Sequence, residues 1–470
     1  MVFNSIEYLI FLPLVVVLYY LIPHRHRWFL LLAASCVFYM WFVPKYILIL
    51  LITIVIDYAA GLLMERDAGS PKKKKTWMVI SIISTLTVLF VFKYLGFVND
   101  NFVRLCQSLG LDVRTSVTLI LPIGLSFHTF QSMSYVIEVY RGNQKAERHF
   151  GYYALYVMFF PQLVTGPIER PGNLLRQLHE EKHYDTDHIV RGLRLILFGF
   201  FIKMVVADNL GVYVDEVYAH PEEYNSWSVW LAMAFYSFQI YGDFFGYSTI
   251  ALGSAQLMGY HISDNFRSPY LSKNIGEFWH RWHISLSTWL RDCIYIPLGG
   301  SRCPRLRCYW NILVTFLVSG IWHGASWTFI AWGLLHGISQ VIEKMLGQQK
   351  CSYGWLGRTV KTAVTFLLVT FAWIFFRMPT MGDACNVVAR ILDTSLPKTV
   401  YSPGGTATLY MLLAVGTMVV KDTVEEAFGE ARLPFHSGRR VVRWVSYLAV
   451  LVLILLCGVF SSDQFIYANF

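Results

Sequence analysis

The sequence predicts an all-α protein: a polytopic transmembrane helical bundle of roughly ten to twelve membrane-embedded helices, with an interfacial helix rich in Trp and Arg. Three observations carry this. Of 470 residues, 55% are apolar and 15% charged, against about a quarter charged in an ordinary soluble domain. The mean hydropathy of +0.46 means that lipid-soluble side chains, not Ser and Thr, fill the deficit. Apolar runs recur along the chain at or near the length of a helical crossing, about 20 residues.

In chain order the runs are Tyr8–Ile22, Trp28–Val43, Tyr46–Met64, Trp77–Phe97, Val117–Val139, Leu193–Ala207, Trp227–Tyr247, Thr328–Ile342, Val360–Phe376, Leu409–Val420 and Val442–Phe460. The first follows Glu7 with no basic leader and ends at Ile22-Pro23-His24, a poor cleavage site. A retained helix is therefore expected rather than a removed signal peptide. The polar connections Arg170–Arg191, Tyr260–Glu277 and Met378–Ala407 are too short for independent folds. With no internal repeat, residues 1–470 read as a single membrane domain.

The net charge is +9, and its placement sets orientation. Basic residues gather at Arg25 and Arg27, Arg66 with Lys72–Lys75, Arg302 to Arg307, Lys344 to Lys361, and Arg439 to Arg443; the positive-inside rule places these loops in the cytoplasm. Asn209–Ser226 carries Asp215, Glu216, Glu222 and Glu223 without Lys or Arg, which suits the opposite side. Topology accounts for these charges, membrane lipid is the surrounding partner, and nothing points to nucleic acid. The eight cysteines show no disulfide or zinc framework and read as free thiols.

Two segments could carry chemistry. Asn274–Gly300, NIGEFWHRWHISLSTWLRDCIYIPLGG, reads as an amphipathic interfacial helix, since Trp rings favour the headgroup level. His280 and His283 are expected to share one of its faces; with no third ligand at metal spacing, one should face a polar cavity and the other solvent. The second segment centres on His323. Trp310–Ile321 would rise about 18 Å as a helix and stop part-way through the bilayer. Gly320 and Gly324 flank the histidine and permit close helix approach. An intramembrane imidazole is by default a functional candidate, with a packed, neutral histidine as the alternative. His336 and His128 are as suited to packing as to action. Among the other ionisable groups in apolar sequence, Glu138, Lys203 and Asp208 lie near segment ends, where snorkelling is cheap. Asp57 and Asp243 lie deeper, and Asp243 is expected to pair inside the bundle with His or Arg.

Together these segments resemble the membrane-bound O-acyltransferase superfamily, and within it the bacterial branch that acetylates exported polysaccharides such as alginate. The resemblance runs from Met1-Val2-Phe3-Asn4-Ser5 to Gln464-Phe465-Ile466-Tyr467. It is carried by LPIGLSFHTFQSMSYVIEVYRG (Leu121–Gly142), FFPQLVTGPI (Phe159–Ile168), KMVVADNL (Lys203–Leu210), Gln239–Ser248, Phe278–Gly300 and Trp322-His323-Gly324. Each is weak alone; six in order are specific. His128, Glu138 and His280 stand where the family carries Tyr, Asp and Arg, and the last removes a permanent positive charge.

The resemblance implies an O-acyltransferase of the bacterial cytoplasmic (inner) membrane. It implies His323 as the signature catalytic residue and His283 as a second catalytic position, with Trp282, Arg281, Trp322 and Asp243 as candidate substrate-binding residues. No bound cofactor or metal is implied. The co-substrate would be a cytoplasmic acyl thioester, with acetyl-CoA the expected donor, and the acceptor a hydroxyl of an exported polysaccharide, reached directly or through an extracytoplasmic esterase-like partner. D-alanylation of teichoic acid from a carrier-protein thioester is the alternative within the family. A transporter with a His–Asp243 proton relay is the alternative outside it.

Overall fold

The structure is a computed structural model. It describes all residues other than 118, 165, 348–353, 394–398, 430–433, 461–465 and 467–470. Thr165, in one of the resembling segments, and most of the terminal Gln464–Tyr467 motif fall outside the described residues. The chain is helical, and the described residues contain only two isolated bridges of β type, Tyr224 with Thr399 and Phe266 with Trp282. It forms two compact units, one comprising residues 1–196 and 250–263, the other 197–249 and 264–466.

The first unit holds α1 (Ile6–Leu21), α2 (His24–Met40), α3 (Ile47–Arg66), α4 (Pro71–Leu89), α5 (Leu95–Ser108), α6 (Leu125–Arg141), α7 (Phe150–Met158), α8 (Phe160–Leu163), α9 (Pro171–His179) and most of α10 (Thr186–Phe200). α6 starts eight residues inside the expected run Val117–Val139, because Pro122 and the left-handed Gly124 (φ 76°) set its N-terminus. Buried polar groups join α3 to α4 and to α6, with i,i+4 partners on α3 (Thr53, Asp57) and on α4 (Ser81, Thr85). The Asp57 carboxylate accepts from Ser81 at 2.5 Å and Thr85 at 3.2 Å, and His128 Nε2 lies 2.5 Å from the Thr53 hydroxyl. His128 thus packs within a regular helix.

The second unit holds α11 (Asp208–Ala219), most of α12 (Ser226–Leu257), α13 (Ile275–Arg281), α14 (Ile284–Leu290), α15 (Arg305–His323), α16 (Trp327–Met345), α17 (Trp355–Arg377), α18 (Met381–Leu392), α19 (Gly405–Phe428) and α20 (Arg440–Cys457). The acidic stretch expected as a loop is largely α11, whose Asp215 pairs with Arg377 at 2.7 Å. Among the described residues, five helical segments are long and apolar enough to cross a membrane: Pro44–Arg66, Pro71–Ser108, Trp355–Arg377, Gly405–Phe428 and Arg440–Cys457. Ile6–Leu21 is a shorter apolar helix. Large apolar side chains are exposed along these segments, among them Leu48, Ile52, Val364, Leu412, Leu451 and Leu455. That is the composition of a lipid-facing surface and not of a water-facing one.

Candidate acyl-transfer site

The segment expected as one interfacial helix is broken at its centre. α13 ends at Arg281, Trp282 is extended, and His283 adopts the left-handed conformation (φ 42°) before α14 begins. The cause is tertiary. The stretch Asn265–Arg267 lies against the break, where the Arg267 N–H donates to the Arg281 carbonyl at 2.9 Å and the Ile284 N–H to the Asn265 carbonyl at 3.0 Å. The Asn265 side chain also accepts from the Ser285 hydroxyl at 2.7 Å. These bonds satisfy backbone groups that a continuous helix would have paired internally. At the other end, Asn274 caps α13 and the Glu343 carboxylate accepts from the Ile275 N–H at 2.7 Å, which suits the positive end of a helix. His283 and Ser268 are the two non-glycine residues with positive φ among those described, and both flank the Phe266–Trp282 bridge. Such residues cost about 1–3 kcal/mol each and persist where surrounding structure over-determines them, commonly at functional sites.

The break separates the two histidines, and the shared face expected for them does not form. His280 is exposed on α13 and bonds back to the Gly276 carbonyl at 2.6 Å. His283 is fully buried, with Phe244 edge-on at 4.7 Å and Trp322 at 6.3 Å between ring centroids.

His323 is the last residue of α15, buried at 3% exposure. Its ring meets those of Trp322 and Trp332 at 4.9 Å and Phe376 at 5.2 Å. Two glycines let α16 come this close: a Cβ on Gly320 would run into the Phe329 carbonyl, and one on Gly333 into the Phe316 carbonyl. The helix length differs from expectation. α15 begins at Arg305, before the apolar run, and its 19 residues rise about 28 Å, close to a full hydrocarbon core. Helix length therefore does not fix His323 at the bilayer midplane.

One turn beyond Trp332, His336 accepts from the Trp279 indole N–H at 3.3 Å. Trp373 stacks on Trp332 at 5.8 Å and donates to the Tyr270 hydroxyl at 3.2 Å. Sequence reasoning missed Trp332, Trp373 and Phe376 as site residues. The i,i+4 spacing of Trp332 and His336 was a usable signal; the contribution of α17 was not, since it comes from a distant apolar run.

The remaining candidates are held by charges. Arg281 is engaged by Glu426 and Glu277, each at 2.8 Å, while Trp282 is buried against Trp373 at 5.0 Å. Asp243 pairs with Lys203 at 2.5 Å, not with the His or Arg expected, and Lys203 also meets Asp208 at 2.6 Å. Both Lys203 and Asp208 are buried, which replaces the snorkelling expected of them. The lysine lies in a π-helical stretch, Phe201–Ala207, a bulge often found at functional sites. Asp243 also accepts the Ile466 N–H at 2.9 Å, and the next residue, Phe244, is the ring against His283.

A cavity of about 400 Å³ is lined by Trp279, His280, Arg291, Phe316, Ser319 and Lys344 among others, so of the two histidines of this segment it is His280 that faces the cavity. Ser319 lies one turn before His323, and the Trp279 ring packs on Trp332 at 5.6 Å. The cavity thus has cationic side chains and an apolar wall, and its lining reaches Ser319, one helical turn before the buried imidazole of His323. A base so placed can take a hydroxyl proton as that oxygen attacks an acyl carbon, or accept the acyl group itself.

Comparison with known proteins gives the family and the class of reaction. The family model for the membrane-bound O-acyltransferase family matches residues 147–377. The chain is 39% identical over 378 residues to a probable alginate O-acetylase AlgI of Pseudomonas syringae, covering 80% of this chain and 72% of that protein. It is 33% identical over 385 residues to a peptidoglycan O-acetyltransferase of Helicobacter pylori, 76% and 72% covered. A teichoic acid D-alanyltransferase of Bacillus subtilis is 27% identical over 267 residues, 55% and 68% covered. The chain belongs to the membrane-bound O-acyltransferase family, and it is an O-acyltransferase.

Proposed function

We propose that this membrane protein acetylates a polysaccharide, moving the acetyl group from a cytoplasmic thioester, acetyl-CoA, to a hydroxyl outside, directly or through an extracytoplasmic esterase-like partner. The O-acetyltransferase relatives support the acetyl group and the polymer class; the D-alanyltransferase is more distant. The observation that carries the residue assignment is His323 itself: an imidazole at a helix end, enclosed by aromatic rings, one turn from a cavity with Arg291 and Lys344 in its wall.

In this reading the cavity admits the thioester from the side of the basic loops, and its cationic wall suits an anionic donor. His323 takes the acceptor's proton, and the indoles exclude water, which strengthens electrostatic interactions inside the site. His283 stabilises the developing oxyanion from its fixed position in the break. Trp282 and Trp322 wall the acyl group, while Arg281 and Asp243 act through their ion pairs by holding the break and α12 in place. We assign the chain to the bacterial inner membrane with ten to twelve embedded helices, the shorter apolar helix α1 and the helices α2, α6, α15 and α16 joining the five long apolar segments.

The test is replacement of the native gene by a His323→Ala variant, with acetyl content of the exported polymer read by NMR. The expected result is a polymer without acetyl groups at a wild-type level of membrane protein. Acetylation at the wild-type level would remove His323 from the mechanism.

A further inference from the structure

Behind two side chains of the cavity wall, Lys344 and Tyr295, lies a second reactive group. Cys308, in the first turn of α15, is buried at 3% exposure. The Lys344 ammonium, from the last turn of α16, donates to its sulfur at 2.9 Å, and the Tyr295 hydroxyl lies 3.3 Å from the same atom. An adjacent lysine favours the thiolate, the form that attacks electrophiles, whereas a buried thiol in apolar surroundings is inert. Lys344 and Tyr295 both line the 400 Å³ cavity and both touch the sulfur, so these two side chains stand between the sulfur and the cavity. Two further features of the same cavity point to a ligand. The Ser319 hydroxyl, buried at 1% exposure, lines it without a hydrogen-bond partner among the described residues. Arg291, paired with Asp292 at 2.8 Å, and Lys344 place two cationic groups in the wall.

From these contacts we propose that Cys308 is a thiol–disulfide exchange site for small anionic disulfides, and that the adduct closes the cavity to the acyl donor. The second half rests on the acyl-transfer reading above; the first does not. In the exchange, the Cys308 thiolate attacks one sulfur of a disulfide R–S–S–R. A bond forms between Cys308 Sγ and that sulfur, the R–S–S–R bond breaks, and R–S⁻ leaves to be protonated by water. No other oxidant is consumed, and an added dithiol reverses the step. The adduct places R beside Lys344 and Tyr295, in the cavity.

The experiment uses full-length protein in detergent with oxidised glutathione as probe, and peptide mass spectrometry to follow each cysteine. Cys308 should acquire glutathione about ten-fold or more faster than Cys106, which is buried without a hydrogen-bonded lysine among the described residues. Lys344→Met should slow the Cys308 reaction by a similar factor. Acetyl transfer should fall as the adduct forms, return with dithiothreitol, and resist oxidised glutathione in Cys308→Ser. Absence of an adduct at Cys308, or an equal rate in Lys344→Met, would overturn the exchange site. An adduct with undiminished transfer would overturn closure of the cavity and leave the acyl-transfer reading intact. A preparation with no transfer before oxidation would count against that reading alone, since labelling rates still decide the exchange site.

Discussion

His128 and His323 are both buried imidazoles in apolar sequence, yet their surroundings differ. His128 lies inside α6, which continues through it without a break, its Nε2 committed to the Thr53 hydroxyl. His323 ends its helix, and His283 sits in a forced left-handed turn between two short helices. Both are enclosed by aromatic rings. Irregular backbone inside an apolar region is tolerated only against protein or a water-filled cavity, and the second unit builds its cavity there. In the mechanism proposed above, the buried histidine within α6 is a packing element and the buried histidines at helix breaks carry the chemistry.

That contrast can be broken in order of expected effect. His323→Gln preserves volume and removes the base, so acetyl transfer should fall about a hundred- to ten-thousand-fold at unchanged thermal stability in detergent; a loss of stability in step with activity would make His323 another packing histidine. Lys203→Met tests the buried ion pairs. It strands Asp208 and Asp243 without their cation and should cost about 3–5 kcal/mol, whereas adding Asp208→Asn and Asp243→Asn should restore most of it. Thermal unfolding of the two variants decides the matter, and equal stability would show that the pairs hold nothing in place.

His283 separates strain from chemistry. Glycine accepts positive φ at no steric cost, so His283→Gly should be about 1 kcal/mol more stable than His283→Ala, with transfer reduced in both. A glycine variant less stable than the alanine variant would contradict the strained turn. The smallest effect is expected at His128. His128→Gln should lose about 1 kcal/mol with its hydrogen bond and keep its transfer rate; a large loss of transfer with stability retained would erase the distinction between the two histidines.

Much of this was legible in the residues, and what was not has physical reasons. The apolar runs located the long helices, and His323 stood out because an ionisable group in such sequence is costly. The extent of α15 was hidden because Arg305 and Arg307 continue a helix outside the apolar run, and apolarity marks lipid contact rather than helix ends. The break at Trp282-His283 was hidden because Asn265 and Arg267 impose it from outside the segment. Lys203 and Asp208 lie near segment ends and read as snorkelling groups, because Asp243, which completes the buried arrangement, comes from another helix. Residues whose role depended on their own neighbours were readable; those whose role came from a distant element were not.

The most direct measurement is transfer of radiolabelled acetyl from acetyl-CoA to polymer in membranes that carry equal amounts of wild-type, His323→Gln or His128→Gln protein. Label in the polymer with wild type and His128→Gln, and a loss of about a hundred-fold or more with His323→Gln, is the predicted result. Equal label from all three would contradict the central claim that the histidine at the helix end carries the chemistry.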